Sequence, residues 1–168
     1  VVLSQIMQAF AIKSAVEIHR RSKPFCMGTL YWQFNDCWPA ISWSSVDYFG
    51  NWKALHYHAK RFFNEIIIVI YEKEERIHIS VINDTHKKVK SHIQFQLSTF
   101  DGLMLHEKTF DYTIGKASSK VVYTFEKKRY LKGKALSDLF IHAEIWKGKK
   151  VVCNNKYYYL HTSKFKNV

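Results

Sequence analysis

A change of apolar period near residue 65 limits the fold more than any other feature of this sequence. After it, apolar residues come in short alternating runs over 66–71, 77–82, 91–98, 103–112, 120–125, 139–146 and 151–160. Turn signals separate them, among them Asn83-Asp84, Phe100-Asp101-Gly102 and Lys147-Gly148. Alternation with a period of two marks strands, because successive side chains of a strand point to opposite faces. Seven such strands with no helix between them fit an all-β immunoglobulin-like sandwich over residues 64–168.

Before the change the pattern is different. Leu3, Ile6, Met7, Phe10 and Ser14, with Glu17 at the edge, share one side at helical spacing, which predicts an amphipathic helix over 3–21. His19, Arg20 and Arg21 suit the negative end of its dipole, and Ser22-Lys23-Pro24 stops it. Residues 28–34, Gly-Thr-Leu-Tyr-Trp-Gln-Phe, are apolar or β-branched at nearly every position, as expected of a parallel strand buried on both faces. A polar and aromatic loop follows over 35–45. A second helix over 52–63 then aligns Trp52, Leu55, His56, Ala59 and Phe62 or Phe63. Helix, strand and helix read as the final sector of a barrel or a doubly wound sheet, joined directly to the sandwich near Phe63-Asn64.

Composition excludes several classes. With 47% apolar residues, 16% aromatics and few Gly or Pro, the 168-residue chain can bury a core. Its net charge of +12 raises nucleic acid as a partner, but the basic residues are scattered and no nucleic-acid motif accompanies them, so solvated faces are expected. The longest apolar run is far shorter than the roughly 20 residues that span a bilayer, so no membrane partner is expected. No leader opens the sequence, and a start at Val1 without Met suggests that the natural chain begins upstream, which leaves the compartment open. Cys26, Cys37 and Cys153 are expected as unpaired, buried thiols. His56 and His58, two apart on a helix, face different ways, so no metal site is expected; the sequence has no phosphate-binding glycine loop, and no cofactor is expected.

The stretch Gly28-Thr29-Leu30-Tyr31-Trp32-Gln33-Phe34-Asn35-Asp36-Cys37-Trp38-Pro39, with Ser42-Trp43-Ser44-Ser45, Asp47-Tyr48 and Trp52-Lys53-Ala54-Leu55-His56-Tyr57, closely resembles the last barrel unit of β-mannosidases in glycoside hydrolase family 2. The resemblance covers residues 1–63; the sandwich is matched only by position and architecture. It implies that 1–63 is the C-terminal segment of a (β/α)₈ barrel, whose active sites lie at the C-terminal ends of the strands. It further implies that Trp32 lies under the sugar, with Asn35, Asp36 and Trp38 as substrate-binding neighbours. An aromatic face suits a sugar's plate of axial C–H groups.

Retaining glycosidases need two carboxylates about 5 to 5.5 Å apart, and the family carries them on the fourth and seventh strands. The resemblance therefore places no catalytic residue in this chain. Asn64-Glu65 repeats the family's Asn-Glu wording but follows the last helix, away from any strand end of an active face. The expectation is the C-terminal part of an exo-β-mannosidase-like enzyme acting on terminal β-linked mannose, inactive by itself. Its partners would be a mannose-containing oligosaccharide or glycoside and the upstream barrel and N-terminal domains of the same polypeptide. Relatives acting on β-galactosides or β-glucuronides are the near alternatives. A non-catalytic carbohydrate- or partner-binding module is the other, with Tyr157, Tyr158, Tyr159 and Trp146 as its platform, although consecutive tyrosines of a strand face opposite sides. The resemblance also implies a cis Trp32–Gln33 peptide in barrel-like surroundings, against trans in an unpaired segment.

Overall fold

The computed structural model describes residues 2–130 and 133–159. The chain divides into two compact units, Val1–Glu65 and Ile66–Val168.

The first unit holds two helices, α1 (Val2–Arg21) and α2 (Ala54–Phe62), joined by a long irregular segment. Ala9 and Val16 of α1 are buried against Leu55, Ala59 and Phe62 of α2, with Ile12 and Tyr31 packed alongside. Glu17, buried in the same region, is held by Lys13 one turn earlier at 3.0 Å. The Arg20 guanidinium donates to the carbonyl of Phe62, tying the end of one helix to the end of the other. The packed face of α1 is therefore not the expected one: Leu3, Ile6 and Met7 are exposed. At 3.6 residues per turn, the two stripes lie about a third of a turn apart. A helix apolar on two sides does not reveal from sequence which side a given neighbour takes. The second helix starts two residues late because Trp52 is spent on an isolated antiparallel bridge to Val46.

Residues 28–34 do not join a ladder, contrary to expectation, and the nearest pairing is an isolated parallel bridge between Asn35 and Val46. A strand is defined by its hydrogen-bonded neighbours, and the described residues supply none for this run. Its side chains still alternate. Thr29, Tyr31 and Gln33 are partly covered, whereas Leu30, Trp32 and Phe34 are exposed, so one face is half-buried and the other open, against the expectation of burial on both. Tyr31 packs edge-on to Phe62 and stacks with Phe63. The Trp32–Gln33 peptide is cis, as is Lys23–Pro24, so the expectation of trans for an unpaired segment is not met. Cys37 is exposed, against the expectation of buried thiols.

The second unit is an all-β sandwich-like body consistent with an immunoglobulin-like domain. Its strands are β1 (Ile66–Lys73), β2 (Arg76–Asn83), β3 (Val89–Thr99), β4 (Met104–Ile114), β5 (Ser118–Glu126), β6 (Leu139–Lys147) and β7 (Lys150–Tyr158). They form two antiparallel sheets, ordered β1-β2-β5 and β4-β3-β6-β7. On β3 the alternate residues Val89, Ser91, Ile93, Phe95, Leu97 and Thr99 are buried, and on β6 Leu139, Ile141, Ala143 and Ile145. These face Ile68, Ile70, Ile77, Ile79 and Val81 in one apolar core. Phe95 lies at the middle, parallel to Phe125 at 5.7 Å and 4.9 Å from the Tyr123 ring. His106 stacks on Tyr130 at 4.0 Å in the same cluster. Burial, then the charges of Lys108 and Arg129, hold its imidazole below the ordinary histidine range. Tyr157 packs inward on this core while Tyr158 joins Phe100 and Phe140, as strand alternation requires. Leu160, the last residue of the expected seventh strand, lies outside the described residues.

Candidate functional site

The segment from Trp32 to Lys53 is organised around two buried serines and one buried carboxylate. Asp36 accepts from the Lys53 ammonium at 3.0 Å and from the Ser42 hydroxyl. Lys53 also donates to the Ser44 hydroxyl at 2.7 Å. Both charged side chains are nearly closed to solvent. The Ser42 hydroxyl, then the Lys53 ammonium and the Ser44 hydroxyl, hold the Asp36 carboxyl below the usual carboxylate range, with burial opposing them. Ser45 is the second anchor. Its hydroxyl donates to the carbonyl of Phe34 at 2.9 Å and lies 2.9 Å from the Tyr31 hydroxyl and 3.1 Å from Nδ1 of His56. Its backbone N–H reaches the carbonyls of Gln33 and Phe34, and the N–H of Val46 reaches that of Phe34. Asp47 closes the following turn by accepting from the N–H groups of Phe49 and Asn51 and from the Asn51 side chain. Gly50 there takes φ +85°, a conformation costly for any residue with a Cβ.

On this frame the four expected sugar contacts separate. Trp32 is 76% exposed and Trp38 68% exposed. Asn35 is exposed and donates to the carbonyl of Asp36. Asp36 points inward and is consumed by Lys53, Ser42 and Ser44, so in this structure it positions the loop rather than offering an oxygen to solvent. Lys53 and Ser45 carry the arrangement, although neither draws notice as a site residue in the sequence. A signal does exist: a lone Asp among apolar rings needs a cation, and Lys53 is the basic residue that closes the loop before α2.

The pairing has a pH consequence. A carboxyl whose folded value is depressed contributes stability that is complete above the ordinary Asp range, near pH ~4, and is lost as pH falls through the folded value. Asp36→Asn is expected to lower the unfolding midpoint of the first unit at pH 7, with the difference from wild type shrinking below about pH 4. Four of the five tryptophans lie in residues 32–52, so tryptophan fluorescence in urea reports on this unit. A difference as large at pH 3 as at pH 7 would refute the ion pair's role.

Residues 75–165 match the family described as Mannosidase Ig/CBM-like domain. The β-mannosidase of Bos taurus is 36% identical over 140 residues, covering 78% of this chain and 16% of that protein. The crystal structure of the β-D-mannosidase of Dictyoglomus thermophilum superposes with a TM-score of 0.85 at 32% identity, over 94% of this chain and 19% of that one. An exo-chitosanase of Amycolatopsis orientalis shares the fold, with a TM-score of 0.77 at 20% identity over 92% of this chain and 18% of that one. The chain thus spans less than a fifth of the length of each of these proteins.

Proposed function

The chain belongs to the Mannosidase Ig/CBM-like domain family, and from that premise we propose that it is the C-terminal part of a retaining exo-β-mannosidase-like glycoside hydrolase. In this reading residues 1–63 close a (β/α)₈ barrel, the sandwich follows it, and upstream domains of the same polypeptide supply the two carboxylates. The substrate is a glycoside or oligosaccharide with a terminal β-linked mannose.

The observation that carries the reading is the alternation along residues 28–34. A barrel strand turns every second side chain toward its covering helices and the others toward the barrel interior. Here Thr29, Tyr31 and Gln33 form the covered side, while Leu30, at 96% exposure, Trp32 and Phe34 face open space. An apolar face of that size is costly in water. It makes sense as one eighth of a barrel wall, with Trp32 at the end where substrate binds. The match to the Dictyoglomus mannosidase extends over 94% of the chain, and so into this first unit, which supports the same reading. Asn35 and Trp38 stand beside Trp32 as substrate contacts, and Asp36 acts by holding their loop.

Retaining hydrolysis requires one carboxylate to attack and a second to protonate the leaving oxygen. Purified residues 1–168 are therefore expected to release no aryl alcohol from an aryl β-mannoside above a buffer blank. Turnover that survives further purification would sink the proposal.

A further inference from the structure

The lysines that look scattered along the sequence are gathered by the sandwich topology. β3 begins where β4 and β6 end and β7 begins, because it runs antiparallel to both neighbours. Lys87, Lys88 and Lys90 at the start of β3, Lys116 just after β4, and Lys147, Lys149 and Lys150 around the β6–β7 hairpin therefore share one end of the four-stranded sheet. All seven are exposed, and none has a carboxylate partner among the described residues. Only Asp84 and Asp111 bring negative charge to these segments, and Asp111 is engaged by Nδ1 of His92 at 2.8 Å.

A groove of about 520 Å³ opens at this end, lined by Lys90, His92, Asp111, Thr113, Trp146 and Gly148 among others. Of the seven lysines Lys90 lines the groove itself, and the others stand at the same end of the sheet, where two of the loops are tied to each other. The fully buried Asn83 side chain donates to the carbonyls of Lys87 at 2.8 Å and Gly115 at 2.7 Å, and the N–H of Ala117 donates to the carbonyl of Thr85 at 2.9 Å. The two lysine-bearing loops are thus stitched together before any ligand arrives.

We propose that this groove binds an anionic oligosaccharide, one carrying sulfate or carboxylate groups. Like charges gathered at one end of the sheet create a local positive potential beside the groove that an anion relieves. The volume falls within the roughly 300–1,000 Å³ of small-ligand sites and suits a few sugar rings. Thr113, His92 and Asp111 offer hydrogen-bonding atoms, and Trp146 is the one indole on the wall. A nucleic-acid strand would instead ask for successive stacking rings along its path. Choosing a saccharide rests also on the glycosidase reading above; anion capture at the groove does not.

The test is equilibrium binding of the full 168-residue chain to four probes: a heparin-derived hexasaccharide, an oligogalacturonate hexamer, mannohexaose and a single-stranded hexanucleotide. At least one anionic sugar is expected to bind, more weakly as salt rises, while mannohexaose does not. The heparin and galacturonate arms tell a sulfate requirement from a carboxylate one. Lys147→Gln/Lys149→Gln/Lys150→Gln is expected to weaken that binding by about tenfold or more. A control that removes the same charge from the opposite part of the sandwich, Lys73→Gln/Lys108→Gln/Lys128→Gln, should change it by less than about twofold. Should the hairpin variant fail to fold by circular dichroism, Lys90→Gln/Lys116→Gln takes its place. Equal losses in patch and control variants, mannohexaose binding as well as the anionic sugars, tighter binding of the hexanucleotide, or no binding by either anionic sugar would each overturn the proposal. Because the readout is binding, an inactive chain leaves it standing, and lost binding leaves the hydrolase reading untouched.

Discussion

Phe95→Ala is expected to destabilise the sandwich by about 3–5 kcal/mol, moving the urea midpoint of its far-ultraviolet circular dichroism down by roughly 2 M. Phe95 is the bulkiest of the side chains closed to solvent among the described residues. Its ring projects from β3 of one sheet and meets Phe125 and Tyr123 from β5 of the other, so it bridges the two layers. Truncation removes apolar contact and leaves a cavity that neither sheet can close without moving a ladder. His106, 5.4 Å from the Phe95 ring, would then border the void with a buried Nε2 that has no hydrogen-bond partner among the described residues. Phe95→Leu keeps most of the volume and should cost less than half as much. A loss under about 1 kcal/mol for the alanine variant would show that the sheets are held elsewhere.

The sandwich was legible because its signal is local. Each strand buries one face, so alternation names the strand and its inward residues together, and the observed elements start or end within a few residues of the alternating runs. The turn at Glu74-Glu75 was not legible. Lys73 pairs with Arg76 across two glutamates at φ +53° and +59°, a conformation usually announced by Asn or Gly. In the first unit the residue types of 28–34 spell a strand, but a ladder depends on partners that the run cannot specify. The helix face failed for a related reason, since α1 is apolar on more than one side and packing alone chose Ala9 and Val16.

The loop's geometry was legible only in part. Trp32 and Trp38 were named through a family resemblance, and both rings are exposed, whereas the apolar run by itself predicted burial on both faces. The inward turn of Asp36 was not legible, because it depends on Lys53, seventeen positions away, reaching back over the loop. The lysine end of the sheet was hidden for the same physical reason. Charges spaced tens of residues apart become neighbours only once strand order and direction are known.

In the complete enzyme that the proposed function invokes, Trp32→Ala is expected to lower kcat/KM for an aryl β-mannoside by about ten- to a hundredfold. Trp43→Ala should lower it by less than about threefold. Exposure does not separate the two rings, since Trp43 is 62% exposed in this chain. Position separates them. Trp32 sits on the uncovered side of the run that would end at the substrate face, whereas the feature that holds Trp43 in place is its backbone carbonyl, which accepts from the Gln8 side chain at 2.7 Å and survives substitution by alanine. A ring under a sugar gains most when the ring pucker flattens toward the oxocarbenium-like transition state. Much of the loss should therefore fall on kcat, with the smaller share on KM. Trp32→Phe keeps an aromatic plate and should recover most of the activity. If Trp32→Ala and Trp43→Ala cost the same, or if the loss at Trp32 tracks lowered stability and phenylalanine does not restore it, Trp32 is a packing residue and the sugar lies elsewhere.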